Sequence, residues 1–364
     1  MSLSGPLVLT NPFALPDVRR GSETLVQSLG SWLQPRLPGG VSVLAGGPSA
    51  GGYQLDRLAY RRLKAPDLRR IHRDLDPEVT FIPAMSLRLR RVRPALVHSF
   101  LYTDAAAARV AGVPYVVSYG GIALPEAFRA RRLKWRLFHF ASVGARRIFC
   151  PSTAAADHMR STYGYVAEVL PNGVHTAAYW QPGTETDPDL ILCASTPDDR
   201  RKRVEILVRA FGLLVARRPS CRLALAGSAR AGTRRELLAL LDEEHRERVD
   251  FLGDLEPAAL GSWYSKAAVT CLPSINEAFG LVLIESLAAG TPVVGADHGA
   301  IPEIIVPGVG GLFEPDDPQS CAAAIENVLN CTDRTIAEEC RLRAAKFDWE
   351  TVGPLYLAAY EEAV

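Results

Sequence analysis

Apolar positions in this chain fall in short, dense runs separated by longer stretches where they recur every three or four residues. Runs rich in Val, Ile and Leu that stop at Gly, Pro, Asn or Ser read as buried strands, and the stretches between them read as amphipathic helices. One set of runs covers residues 6–10, 41–45, 97–100, 115–118 and 147–150, and a second covers 190–194, 222–226, 249–252, 268–272 and 292–295. Each run leads into a helical pattern, which predicts βαβ units and parallel sheets with helices on both faces. Residues 175–189, between the sets, are rich in Pro, Gly, Thr and Asp and read as a linker. The pattern therefore predicts an α/β chain of two doubly wound, Rossmann-like domains facing each other across a ligand cleft at the carboxyl ends of their strands. A length of 364 residues agrees with two domains.

Charge refines that division. The chain carries 41 Lys and Arg against 40 Asp and Glu, a formal net charge of +1, which argues against bulk electrostatic binding of nucleic acid. The sum conceals a split: residues 1–180 carry a net +12 (23 basic, 11 acidic) and residues 181–364 a net −11 (18 basic, 29 acidic). Only five of the basic residues are Lys, a bias that reads as a high-GC bacterial genome. Seven scattered cysteines show no C-x-x-C pair and no zinc spacing, as expected of a reducing cytoplasm. The N-terminus lacks a signal-peptide pattern, and no run approaches the roughly 18 apolar residues of a membrane span.

The chemistry concentrates in residues 272–303, LPSINEAFGLVLIESLAAGTPVVGADHGAIPE. A strand empties into a Pro-Ser-Ile-Asn turn, Glu277 precedes Phe279-Gly280, and a helix starts at Leu281 and stops at Gly290-Thr-Pro. Such a helix start presents free N–H groups and a positive dipole end, which suits a phosphate. Glu277 and Glu285 are eight residues apart, about 12 Å along the axis if the whole span were helical. That separation suits the two ends of a nucleotide sugar, one carboxylate taking sugar hydroxyls and the other ribose hydroxyls.

This E-x7-E arrangement within PSxxEAFGLVLIESLAAGTPVV closely resembles the signature of the family 4 glycosyltransferases, retaining enzymes of the GT-B fold. Weaker words follow in family order: Asn11-Pro12 with Arg20-Gly21-Ser22-Glu23 resembles the glycine loop after the first strand, and LVHS at 96–99, LPNGV at 170–174, Phe251-Leu252-Gly253 and GGLFEP at 310–315 resemble later segments. The resemblance implies an N-terminal acceptor-binding domain over residues 1–175, a donor-binding domain over 176–346, and a terminal helix at 347–364 packing back on the first. It implies catalytic roles for Glu277, beside the donor sugar, and Lys202, at the diphosphate, with Glu285 on the ribose. Gly21, Arg200, Arg201, Asn276, Ala278, Phe279, Gly280 and Leu281 complete the implied donor site. Neither metal nor other cofactor is implied, since a helix N-terminus and basic side chains neutralise the leaving diphosphate.

Beside Arg20 in place of the first glycine and His175 in place of the usual Asp, two departures from the family pattern bear on the chemistry. Where an Arg usually precedes the Lys, this chain has Ala194-Ser195-Thr196-Pro197, with Arg200 or Arg201 as substitutes. Where many members place a His facing the reacting sugar, VVSYGG puts Gly120. Either a neighbouring group, with Tyr119 as candidate, fills the role, or a wider pocket accepts a bulkier acceptor. His98 is the other acceptor-side candidate.

In the basic half, Arg and Lys interleave with aromatic residues over 128–140, FRARRLKWRLFHF. On one helix this pattern either forms an interfacial surface for anionic lipid or packs its apolar side inward with Arg outward. The expected activity is hexose transfer from a UDP- or GDP-sugar to a carbohydrate, lipid or small-molecule acceptor that is neutral, anionic or membrane-borne. The expected location is the cytoplasm, with peripheral contact at the inner membrane face. The competing readings are a non-catalytic nucleotide-sugar sensor or partner subunit and a nucleotide-sugar 2-epimerase. Base, sugar, linkage and oligomeric state are not fixed by any motif here.

Overall fold

The computed structural model describes residues 5–13, 15, 21–129, 131–331 and 335–364. Arg20 of the glycine-loop resemblance lies outside them. The chain forms two compact units, one of residues 1–173 with 349–364 and the other of residues 174–348.

The first unit holds an eight-stranded sheet. Its strands are β1 (Leu7–Asn11), β2 (Val41–Gly47), β3 (Gly51–Leu55), β4 (Leu58–Lys64), β5 (Leu96–Ser99), β6 (Tyr115–Ser118), β7 (Ile148–Cys150) and β8 (Glu168–Val169). They run in the order β3-β4-β2-β1-β5-β6-β7-β8. All pairings are parallel except that of β3 with β4, a hairpin whose turn holds Asp56 at φ 51. Every residue of β1 is buried, as a central strand covered by helices on both faces requires. The hairpin escaped the apolar-run reading because β4, LAYRRLK, buries Leu58 and Tyr60 while its alternate residues Ala59 and Arg61 face solvent. A strand with one face buried has period two, so arginines on its outer face hide it among apparently basic loops.

The terminal helix Trp349–Ala363 belongs to this unit. Trp349, Tyr356 and Tyr360 are buried, Trp32 Nε1 donates to Glu350 Oε1 at 3.0 Å, and a β carbon at Gly353 would meet the Trp32 ring at 2.5 Å. Gly353 therefore permits the close approach of two helices.

The second unit has six parallel strands: β9 (Asp187–Ala194), β10 (Arg222–Ala226), β11 (Val249–Gly253), β12 (Ala267–Leu272), β13 (Val293–Ala296) and β14 (Gly310–Phe313). They are ordered β11-β10-β9-β12-β13-β14, so sheet order reverses direction beside β9 and β12. β9 begins at Asp187, inside the stretch read as linker, and Thr176–Ala178 forms a 3-10 turn. Asp187, Pro188 and Asp189 disguised the start of the strand. The core packs Val204, Leu207 and Phe211 of the helix Val204–Val215 against Ile191, Leu223 and Leu225 of the sheet.

Candidate donor site

The site is built at the carboxyl end of β12. After Leu272 the chain turns through residues 273–280, and the helix Leu281–Ala289 follows, ending on Gly290 in the left-handed region at φ 89. Glu277 thus precedes the helix by four residues, so the fully helical span that would set it about 12 Å from Glu285 does not exist. Gly280 is the helix N-cap at φ 99 with no side-chain cap. Its conformation suits glycine, and the helix start lacks the side-chain acceptor that usually satisfies first-turn N–H groups. Ala278 and Phe279 are buried, the Phe279 ring meeting Phe347 at 5.6 Å, and these anchors fix the turn while Glu277 remains about one-fifth exposed.

Lys202 closes one side. It ends the 3-10 turn Arg200–Lys202, and its Nζ donates to Glu277 Oε2 at 2.8 Å. The Ile275 N–H donates to the Arg201 carbonyl at 2.9 Å, tying this turn to the Glu277 segment. The Arg201 guanidinium is engaged by Asp199, with Nε and Nη2 at 3.2 and 2.6 Å from its two oxygens, while Arg200 is exposed. Of the two substitutes for the missing family cation, Arg201 is already paired. Ser195 is buried and Thr196 exposed, and a β carbon at Gly227 would come within 2.5 Å of the Ser195 carbonyl.

Glu285 lies within the helix, half-buried, accepting from the Tyr264 hydroxyl at 2.9 Å and from Tyr179. Burial raises its carboxyl above the ordinary value, and the two phenol donors oppose that rise. Tyr264 is fully buried, 6.0 Å from Tyr179 between ring centroids. These tyrosines were not legible in the sequence because Tyr179 lies in the stretch read as linker and Tyr264 in an ordinary helical pattern. His298 was also missed: its Nδ1 accepts the Asn276 N–H at 3.1 Å. Among the described residues no group of three or more His, Cys, Asp or Glu is arranged to hold a metal ion.

In the first unit Gly21 begins the helix Gly21–Leu33. His98 is fully buried on β5, with Nδ1 2.7 Å from the Tyr360 hydroxyl and Nε2 2.7 Å from Ser118 Oγ. Burial lowers its pKa to about 3. Both ring nitrogens are occupied, so His98 is a core residue tying the terminal helix to the sheet and not a group that meets an acceptor. Tyr119 is likewise buried, its hydroxyl 2.8 Å from Ser142 Oγ, and burial raises its pKa. Gly120 is exposed, and a β carbon there would have no heavy atom within 4 Å.

The FRARRLKWRLFHF segment is not one helix. Its start falls in the short helix Pro125–Phe128, and a second helix runs Arg132–Gly144. Phe138 is buried and packs with Phe128, Trp135 and Tyr163 at 5.3, 6.1 and 5.0 Å between centroids. Lys134 is buried between Asp76 at 2.5 Å and Glu78 at 2.7 Å. Phe138 faces protein, whereas Phe140 is exposed with Arg109 stacked on its ring at 4.2 Å, and Arg132 and Arg136 face out. No helix among the described residues is long and apolar enough to cross a membrane.

Comparison with known proteins bears on the family and the fold. The family model for glycosyl transferases group 1 matches residues 178–346, and that for glycosyltransferase family 4 matches residues 19–178. A phosphatidyl-myo-inositol mannosyltransferase of Propionibacterium freudenreichii is 30% identical over 224 residues, covering 58% of this chain and 55% of that one. A D-inositol 3-phosphate glycosyltransferase of Corynebacterium jeikeium is 36% identical over 172 residues, 45% of this chain and 41% of that one. The chain thus spans about half the length of the curated relatives it matches. Among solved structures, sucrose-phosphate synthase of Thermosynechococcus elongatus superposes with a TM-score of 0.82 at 21% identity, covering 98% of both chains. HepE of Anabaena in complex with UDP-glucose gives 0.77 at 18% identity, covering 99% of this chain and 100% of that one. With both family models matching in sequence order and the fold shared end to end, this chain belongs to the family 4 glycosyltransferases and has the GT-B fold.

Proposed function

We propose that the protein is a retaining glycosyltransferase that moves a hexose from a nucleotide diphosphate sugar to an anionic acceptor, without a metal ion. The observation that carries this reading is the Lys202–Glu277 pair, 2.8 Å apart, beside a helix start that no side chain caps. In the reaction the bond from the sugar's C1 to the phosphate oxygen breaks, the acceptor oxygen bonds to C1, and the acceptor proton leaves with the diphosphate. Negative charge then develops on the diphosphate. Lys202 Nζ and the N–H groups of Phe279, Gly280 and Leu281 are the donors that stabilise it. Glu277, released from Lys202, accepts hydrogen bonds from the sugar hydroxyls. Glu285, held by Tyr264 and Tyr179, accepts from the ribose.

The acceptor assignment draws on charge. The net +12 of residues 1–180 includes exposed Arg57, Arg70, Arg73, Arg90, Arg91 and Arg132, a field that favours a phosphorylated polyol or its lipid over a polycation. The relatives named for inositol phosphate and phosphatidylinositol support the same class. We place the protein in the cytoplasm, at the membrane face when the acceptor is a lipid.

A panel of UDP-, GDP- and dTDP-sugars tests the activity through release of the nucleoside diphosphate with and without inositol phosphate. Slow hydrolysis of one donor, accelerated by the acceptor, is the expected result. Donor binding with no turnover under any acceptor would instead identify a sensor. Sedimentation with phosphatidylinositol vesicles at low and high salt tests the lipid form, and absence of binding at low salt would remove it.

A further inference from the structure

Residues that follow β13 grip the turn that carries Glu277. His298 Nδ1 accepts the Asn276 N–H at 3.1 Å, and the Ala300 N–H donates to the Glu277 carbonyl at 3.0 Å. Between them Gly299, at φ 61, lies so close that a β carbon would meet the Glu277 carbonyl at 2.7 Å. From the opposite side the Arg201 carbonyl takes the Ile275 N–H. Asn276 itself has φ 55, a left-handed conformation that non-glycine residues enter at a cost. The bond to His298 offsets that cost at the residue whose backbone angles aim the Glu277 side chain. A backbone N–H donates only to an unprotonated ring nitrogen, so the bond fixes the tautomer, with Nδ1 bare and the proton on Nε2. In this clamp the other contacts are made by backbone atoms, and His298 is the side chain that a substitution can remove.

We propose that His298 is a positioning residue for sugar transfer. Its neutral imidazole holds the 275–277 turn so that the Glu277 carboxylate stands beside Lys202 and the donor sugar. This rests on the reading of Glu277 as the carboxylate beside that sugar. Removing the acceptor lets Asn276 relax and displaces the carboxylate. The nucleoside end keeps its hold through Glu285, so the loss falls on turnover and not on donor binding.

The test measures UDP release from UDP-glucose and GDP release from GDP-mannose with the full chain. His298→Ala is expected to lower kcat about tenfold and leave the donor KM within about twofold. His298→Asn places Oδ1 where Nδ1 stood and is expected to recover kcat to within about twofold of the parent. His298→Gln shifts the acceptor by one methylene and is expected to be as slow as His298→Ala, so it serves if the Ala variant fails to fold. The Asn276 amide proton, followed by NMR, should move upfield in the Ala and Gln variants and return in the Asn variant. Parental kcat in a folded Ala or Gln variant, or an Asn variant as slow as the others, would overturn the proposal. Glu277→Ala separates it from the underlying reading. If that variant turns donor over at the parental rate, the role of Glu277 fails. If it is inactive while His298→Ala is not, only the role of His298 fails.

Discussion

Lys202 Nζ and Glu277 Oε2 meet at 2.8 Å across 75 residues of sequence, each side chain between one-fifth and one-quarter exposed. The pair joins the 3-10 turn after β9 to the turn after β12, neighbouring strands at the reversal of sheet order. A partly solvated ion pair is worth about 0–1 kcal/mol, so a bound diphosphate can draw Lys202 away at little cost.

Lys202→Ala should therefore lower turnover by ~10²–10³ while changing stability by no more than about 1 kcal/mol. Turnover assays beside urea unfolding check both. Unchanged turnover would remove Lys202 from the chemistry, and a large stability loss would make it a structural residue.

Glu285 links function to stability through pH. Its carboxyl is raised above the ordinary 4.5 by burial. In the pH range just above 4.5 the native state holds a proton that the unfolded chain releases, so this group's contribution to stability falls as pH rises through that range. Glu285→Gln removes the effect. Its melting temperature should match the parent's near pH 4 and exceed it progressively at higher pH, while the donor KM rises. A constant difference across pH would contradict the assignment.

Two buried groups of the first unit act in opposite directions. His98 is lowered from 6.5 to about 3, so between those values the unfolded chain binds a proton the native state lacks, and stability rises with pH. Asp104 is raised from 3.8 to about 7 by burial, although Thr10 Oγ1 and the Phe100 and Leu101 N–H groups donate to it. There the native state holds the extra proton, and stability falls as pH rises. Each contributes a slope of about 1.4 kcal/mol per pH unit, and between 3.8 and 6.5 they oppose one another. Asp104→Asn should make stability climb more steeply with pH across that window than in the parent, and His98→Gln should do the reverse. Urea midpoints at several pH values decide it, and equal slopes in both variants would refute the opposition.

Glycine substitutions separate open from closed positions. Gly120→Ala meets nothing within 4 Å and should alter stability by no more than about 0.5 kcal/mol. Gly299→Ala places a methyl at 2.7 Å from the Glu277 carbonyl at φ 61 and should cost about 1–3 kcal/mol and lower turnover at least about tenfold. Comparable melting temperatures for the two would contradict the clamp.

The strands most legible in the sequence were those buried on both faces, because consecutive apolar residues such as Leu7-Val8-Leu9 of β1 or Ala267-Ala268-Val269 of β12 stand out without any alternation. The helix Leu281–Ala289 was readable to its glycine stop, since Gly290 supplies the left-handed cap there. β4 and the start of β9 were not, because half-buried or exposed strand residues are written in Arg and Asp. Within the site, the family resemblance singles out Glu277 and Lys202, and the structure brings the two together at 2.8 Å. His298, Tyr179 and Tyr264 act through contacts 22, 106 and 21 residues away from Asn276 or Glu285, and local spacing does not encode them. His98 misled for the complementary reason: a polar residue at a strand end reads as functional until both its nitrogens are seen to be bonded inside the core.

The most direct test of the account compares Glu277→Ala with Glu285→Ala on a turned-over donor, with kcat and KM measured separately. The account predicts that Glu277→Ala loses kcat with little change in donor KM, while Glu285→Ala raises donor KM. Glu277→Ala with parental kcat would contradict it.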